Sequence, residues 1–290
     1  MRWHGINRAV LAVTGIFFGA AIAGMAVTGF AAPPVSHSFA DNSPSAVQVD
    51  VELVLAVDIS FSMDQDELEL QREGYIQALT SREFLSALRE GINAKIAVTY
   101  IEWAGHGIQH VVVPWRLIDG PETADAFAAA LAKANYARGS RTSISGALLY
   151  AKPLFDNSGY RGIRRVIDIS GDGANNHGPP VALTRDAVLA SGITVNGLPI
   201  MYKRSRPGTM DIGMLDVYYE DCVIGGPGSF VVPIRDRTKF TQAIRTKLVL
   251  EIAGRQPEPR VIPVSRDKPR IDCLIGERLW RERWGRDNWN

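Results

Sequence analysis

Two carboxylates and three hydroxyls, carried by three separate stretches of chain, are the side chains best placed to do chemistry together. Asp58, Ser60 and Ser62 stand two apart in VDISFS at the end of an apolar run. Thr142 precedes a helical pattern in RTSISGAL, and Asp172 follows a second apolar run in ISGDG. The set is all oxygen, without imidazole or thiolate. Hard divalent cations take such ligands, so Mg2+ is the expected occupant, with Mn2+ or Ca2+ as alternatives. Unpaired, two carboxylates about 5 Å apart would repel by roughly 3 kcal/mol at an effective dielectric of about 20, a cost that a cation removes. Singly, each piece has a plainer meaning: D-x-S-x-S ends a strand in an Asx or Ser turn, GDG is a turn, and a lone threonine caps a helix. Their agreement in chemistry and placement is what sets them apart.

These residues need elements that bring them to one edge. From residue 50 onward, short Val/Ile-rich runs alternate with longer helical patterns, the signature of an α/β domain with a mostly parallel sheet. VELVLAV is the first strand, followed by a helix beginning near Asp66. A second helix is expected from Thr80, because Thr80 and Glu83 have capping-box spacing ahead of Phe84. AKIAVTYIEW and IQHVVVPW are joined by the short turn AGHG, which predicts a hairpin and an antiparallel edge. TADAFAAALAKA and SISGALLYAKPLF are helical, RRVIDIS and ITVNGLPI are strands around the helix VALTRDAVLASG, and a further strand FVVPI precedes the helix TKFTQAIRTKLVLEIAG. In such a sheet ligands bind beyond the carboxyl ends of the strands, where Asp58, Asp172 and the Thr142 loop are all expected. Asp168 is different, since it sits inside an apolar strand and a buried carboxylate needs a partner: either a polar pocket or a base such as Arg164.

The chain has 290 residues, 46% hydrophobic and 22% charged, with 32 Lys plus Arg against 31 Asp plus Glu. That balance gives no electrostatic footprint for nucleic acid, and function must reside in a local site. The two cysteines, Cys222 and Cys273, form neither a CxxC nor a Cys/His cluster, which excludes a zinc module. A disulfide between them would tie the C-terminal tail to the body in an oxidising compartment. Arg2, His4 and Arg8 precede an uncharged apolar run from Ala9 to Ala32, the pattern of an export signal. The expected organisation is a signal peptide over 1–40 (or an N-terminal anchor, the run being long enough to span a bilayer), a linker over 41–50, the domain over 51–253, and a Pro- and Trp-containing tail over 254–290. The body is then periplasmic or secreted, with membrane contact only if the signal stays uncleaved.

Residues 51 to about 253 resemble a von Willebrand factor type A (vWA) domain. Its metal-ion-dependent adhesion site (MIDAS) consists of D-x-S-x-S, a loop threonine, and an aspartate before glycine. Asp58, Ser60 and Ser62 match the first part, Thr142 the second and Asp172 the third. The sequence is most similar to exported bacterial vWA-like proteins of unassigned function, in the stretches DCVIGGPG and IRTKLVLEIAG, and departs from the better-known adhesion domains over 201–228 and in the tail. The resemblance implies a Rossmann-like α/β fold with a mostly parallel central sheet, one antiparallel edge strand and helices on both faces. It also implies Mg2+ at the five named residues and a binding role, not an enzymatic one, in which a protein partner supplies a carboxylate to the metal.

Two other readings stay open. A hydrolase could assemble Asp58 with His106 or His110 and a serine, although no G-x-S-x-G elbow is present. A structural envelope protein could keep a vestigial metal site and use its Trp-rich tail, in which Trp280 and Trp284 stand four apart, as the working surface. His177 lies near the expected metal edge as a solvated loop residue or a ligand contact.

Overall fold

The strand that ends in Asp58 is buried along almost its whole length, as befits the centre of a parallel sheet covered on both faces. The computed structural model describes residues 45–202, 212–253 and 269–285; the expected signal segment lies outside them. β1 (Val47–Asp58) takes in the last four residues of the expected 41–50 linker. It is followed by α1 (Gln65–Leu79), α2 (Arg82–Arg89), β2 (Ile96–Trp103), β3 (Gln109–Ile118), α3 (Pro121–Ala132), α4 (Ile144–Ala151), β4 (Tyr160–Gly171), α5 (Val181–Leu189) and β5 (Thr194–Pro199). Then come α6 (Leu215–Tyr218), which runs into a π-helical turn over Tyr219–Val223, α7 (Phe240–Ala253) and α8 (Ile275–Trp284).

The five strands lie in the order β3-β2-β1-β4-β5. β1 pairs in parallel with both β2 and β4, β4 with β5 likewise, and β3 is antiparallel to β2 at the edge. Pro114 is accommodated because it falls in an edge strand, where the β2–β3 register shifts between Val98 and Tyr100. Strand alternation divides the core. Val51, Leu53, Leu55 and Val57 face one cluster with α1, α2, α3 and α7, whereas Val54 and Ala56 face another with α4, α5 and α6.

Two details differ from expectation. α2 is capped by Ser81, whose hydroxyl accepts the Phe84 N–H at 3.2 Å; Thr80 closes α1 and donates its hydroxyl to the Ile76 carbonyl. FVVPI does not form a strand and contributes only isolated bridges, Val231 to Gly197 and Ile234 to Ile200. Pro233 removes a ladder donor at that point. Cys222 and Cys273 are joined by a disulfide. Among the described residues, no helix is long and apolar enough to cross a membrane.

Candidate metal centre

The chain leaves β1 on one side for β2 and returns to the other side as β4, so the crevice beyond the carboxyl ends of β1 and β4 is the switch point of the sheet. Asp58 closes β1, and Asp172 follows the last residue of β4. Asp58 is fully buried, and its Oδ1 accepts the Ser60 N–H at 2.7 Å, the Asx turn that ends the strand. That turn starts a continuous polar chain: the Ser60 and Ser62 hydroxyls are 2.8 Å apart, and the Ser62 hydroxyl donates to Asp172 Oδ1 at 2.6 Å. The loop then enters α1 through Asp64, which accepts the Glu67 N–H while Glu67 accepts the Asp64 N–H.

Thr142 arrives from the other side of the crevice. Its N–H donates to Asn176 Oδ1 at 2.9 Å and its carbonyl accepts the Asn176 N–H at 2.8 Å, which locks the Thr142 loop onto the loop after Asp172. Ser60, Ser62, Thr142 and Asp172 line one cavity of about 150 Å³, together with Phe61, Arg141, Gly173, Ala174, Asn176 and Trp280. Four of the five expected residues thus share one cavity wall. Asp58 is not on that wall; it lies beneath it, tied in through Ser60.

Asp58 Oδ2 is buried and makes no hydrogen bond. Burial pushes the Asp58 carboxyl well above the ordinary range, the charge of Asp172 adds to the shift, and hydrogen bonding from Ser60 and from the Asp172 backbone only partly offsets it. Gly171 makes this approach feasible, since a Cβ there would stand 2.9 Å from Asp58 Oδ2 and 3.1 Å from the Tyr219 hydroxyl. These features fit a hard cation: a buried carboxylate oxygen without a partner, a second carboxylate close by, and hydroxyls converging on one cavity. Among the described residues, no group of three or more His, Cys, Asp or Glu side chains is placed to hold a metal.

Several residues at this edge escaped sequence reasoning. Tyr219, in the π-helical turn, puts a buried hydroxyl without a hydrogen bond beside Asp58; burial and then the Asp58 charge hold its ionisation well above the usual range. Asn176 fixes Thr142. Arg141 adopts φ 66° directly before Thr142, and its guanidinium stacks 4.0 Å from the centroid of Trp280. The run ANN after GDG was the available signal for the asparagines, because side-chain amides commonly tie loops to neighbouring backbone. Tyr219 had none, and the Trp-rich tail that carries Trp280 gives no sign that it reaches this edge, since both come from sequence-distant segments.

The histidines serve other ends. His177 Nδ1 accepts the His106 N–H at 2.9 Å and its carbonyl accepts the Ser143 hydroxyl, so it braces the loops from behind. His110 Nε2 lies 3.3 Å from Glu102 Oε2. No imidazole among the described residues bonds to Asp58.

A family profile described as "Protein of unknown function (DUF1194)" matches residues 48–256. The chain belongs to this family. A comparison of the DUF1194 chain with curated protein sequences gave no match. Its fold is that of vWA domains. Similar solved structures include proximal thread matrix protein 1 of the mussel byssus, at 14% identity and TM-score 0.51, covering 72% of this chain and 49% of that one. A second structure of that protein, described as having a zinc-occupied MIDAS motif, matches at 15% identity and TM-score 0.50, with coverage again 72% and 49%. The pilus adhesin SpaC of Lactobacillus rhamnosus GG, in an open conformation, matches at 14% identity and TM-score 0.50, covering 72% of this chain and 31% of that one. The DUF1194 chain therefore spans about half or less of the length of these proteins.

Proposed function

We propose that this DUF1194 protein is a cation-dependent binding module, not an enzyme, and that it acts outside the cytoplasm, in the periplasm or as a secreted protein. The observation that carries the reading is the chain Asp58–Ser60–Ser62–Asp172 beneath an open cavity, with Asp58 Oδ2 buried and unbonded at its base. Ser60, Ser62 and Thr142 would hold the ion through hydroxyl oxygens, with Asp58 and Asp172 providing charge balance. Mg2+ is the expected ion, with Mn2+ or Ca2+ acceptable to an oxygen set. The zinc described in the mussel protein's MIDAS motif supports divalent occupancy in this fold.

When bound, the cation supplies a Lewis-acidic position facing the cavity, which a carboxylate of a partner protein can complete. The protein's own residues perform the remaining tasks. Asp58 orients Ser60 through the Asx turn, Ser62 bridges to Asp172, and Asn176 holds Thr142 in place. The adhesin and matrix neighbours are consistent with binding as the activity. The hydrolase alternative is weakened because the His110 imidazole faces Glu102 and no imidazole among the described residues bonds to Asp58.

The deciding experiment is affinity capture from native envelope extract with Mg2+ or EDTA, using the wild type and Asp58→Ala, alongside Mg2+ titration of the purified protein. Capture lost in EDTA and in Asp58→Ala, with folding retained, supports the module. Capture that persists in EDTA, with no thermal response to Mg2+, Mn2+ or Ca2+, refutes it and turns attention to the Trp-containing tail.

A further inference from the structure

Resting on this cation reading, we infer that the C-terminal helix α8 is a built-in wall of the site. It positions the loops carrying Thr142 and Asp172, so the cavity is incomplete without a segment beyond the family domain. The family profile ends at residue 256, yet Trp280 of α8 lines the cavity with Ser60, Ser62, Thr142 and Asp172.

The start of the segment is anchored at three residues. Arg270 grips Asp221 and Glu220 at 2.6 and 2.5 Å, Ile271 is buried in the core, and Cys273 is joined to Cys222. The first turn of α8 then sits directly on the loop after Asp172. A Cβ at Gly276 would lie 2.1 Å from the Asn175 carbonyl oxygen, so only glycine allows that approach.

From there two contacts reach the site. The first runs through Asn175, which is fully buried. Its Oδ1 accepts from the Ser145 N–H and hydroxyl at 3.0 and 3.1 Å, its N–H donates to the Tyr218 hydroxyl, and its Nδ2 donates to Pro179 O and, at 2.7 Å, to Glu277 Oε1. Glu277 thus completes the asparagine that pins the start of α4, three residues after Thr142. The second contact is the Trp280 ring stacked on Arg141. Arg141 holds a left-handed backbone that a non-glycine residue keeps only where its surroundings hold it, and it immediately precedes Thr142. Glu277 and Trp280 are therefore positioning residues, acting through Asn175 and Arg141.

The test uses the full-length protein, with Trp280→Ala and Glu277→Ala read by amide hydrogen exchange in EDTA and by calorimetric titration with Mg2+. Exchange over residues 139–146 and 172–178 should accelerate while β1 and β4 keep their protection. The Mg2+ dissociation constant should rise by roughly tenfold or more, the usual consequence of losing a group that orients metal ligands. Trp280→Phe should restore most of both, because an aromatic face remains for Arg141. Trp280→Leu, which fills space without that face, replaces the alanine variant if that variant does not fold. Wild-type exchange and wild-type Mg2+ affinity in the Trp280 and Glu277 variants would overturn the role of α8. A wild type that takes up no Mg2+, Mn2+ or Ca2+ overturns instead the cation reading, and with it the effect on affinity, which the flat titration distinguishes from unchanged exchange.

Discussion

Of the buried acids in the sheet, Asp168 and Asp58 differ in where their compensating charge comes from. In the interior, Asp168 of β4 meets α7: Lys247 Nζ lies 2.8 Å from Asp168 Oδ1 and 2.5 Å from Glu251 Oε1. Asn196 donates to Glu251 Oε2 at 2.7 Å, Arg164 donates to the Glu251 carbonyl, and the Lys247 ammonium sits 4.7 Å from the Phe230 ring centroid. At the carboxyl edge, Asp58 is equally buried and lies close to Asp172, yet among the described residues no lysine or arginine forms an ion pair with Asp58. The interior cluster carries its own cation on a helix of the domain: Asp168 Oδ2 also makes no hydrogen bond, but Lys247 stands against the same carboxylate. The edge group has an orphaned oxygen beneath an open cavity. Burial of acids does not by itself mark a site; the source of the compensating charge does.

The strongest way to break this contrast is to remove the internal cation. Lys247→Met leaves Asp168 and Glu251 buried without their base and should destabilise the fold by about 3–5 kcal/mol, the usual cost of orphaning a buried charge. Denaturant unfolding in EDTA measures it. A loss below about 1 kcal/mol would mean that water or a rearranged Arg164 replaces the lysine, and that the two regions do not differ in kind.

The same cluster has a pH signature. Burial pushes the Asp168 carboxyl up to about 7, Lys247 pulling it down and Glu251 pushing it up again, because two acids share a single base. In the unfolded chain the group titrates near about 4. Between those values the folded state holds a proton that the unfolded state has lost, so the contribution of Asp168 to stability falls as pH rises from about 4 to about 7 and levels off above. Unfolding free energies across that window should show the decline in the wild type and a flatter profile in Asp168→Asn. An identical slope in both would show that Asp168 is not the group responsible.

At the edge the compensating charge must be added from outside. Mg2+ at about ten times its dissociation constant should stabilise the wild type by roughly 1.4 kcal/mol through linkage, a rise of about 3–5 °C in melting temperature for a domain of this size. Asp172→Ala should abolish that response, whereas Asp168→Asn should leave it intact. Scanning calorimetry with and without Mg2+ separates the two regions directly; a response lost in Asp168→Asn and kept in Asp172→Ala would reverse their assignment.

How much of this was legible in the sequence follows from how local each signal is. Strand and helix periodicity, the hairpin at AGHG and the D-x-S-x-S turn are short-range patterns, and the sheet with its antiparallel edge is as they indicate. Asp168 could be flagged as needing a partner, but Lys247 is 79 residues away on another element; Arg164, the nearer base, instead binds the Glu251 carbonyl. FVVPI reads as a strand because β-branched runs favour one, while Pro233 and the loop before it allow only bridges. The Trp-rich tail could be flagged as a working surface, but Trp280 could not be placed in the cavity wall, because that depends on the disulfide and Gly276 bringing α8 to the switch point.

The finest comparison is between donors. In the interior, Lys247 and Asn196 reach Asp168 Oδ1 and both oxygens of Glu251, leaving Asp168 Oδ2 without a hydrogen bond. At the edge the Tyr219 hydroxyl and Asp58 Oδ2 are both buried near the same point, neither makes a hydrogen bond, and no such base stands beside them among the described residues. A hydroxyl already bound to that carboxylate would cost about 1–3 kcal/mol to delete, because its partner would be left unsatisfied. Tyr219 shows no such bond, so Tyr219→Phe should shift stability in EDTA by less than about 1 kcal/mol in either direction. Its Mg2+ response should remain, since the phenol is not in the oxygen set of Ser60, Ser62, Thr142 and Asp172 that lines the cavity. Unfolding of Tyr219→Phe with and without Mg2+ checks both points. A cost above about 1 kcal/mol in EDTA would show that the phenol satisfies Asp58 in the cation-free protein, and the edge would then, like the interior, carry its own partner.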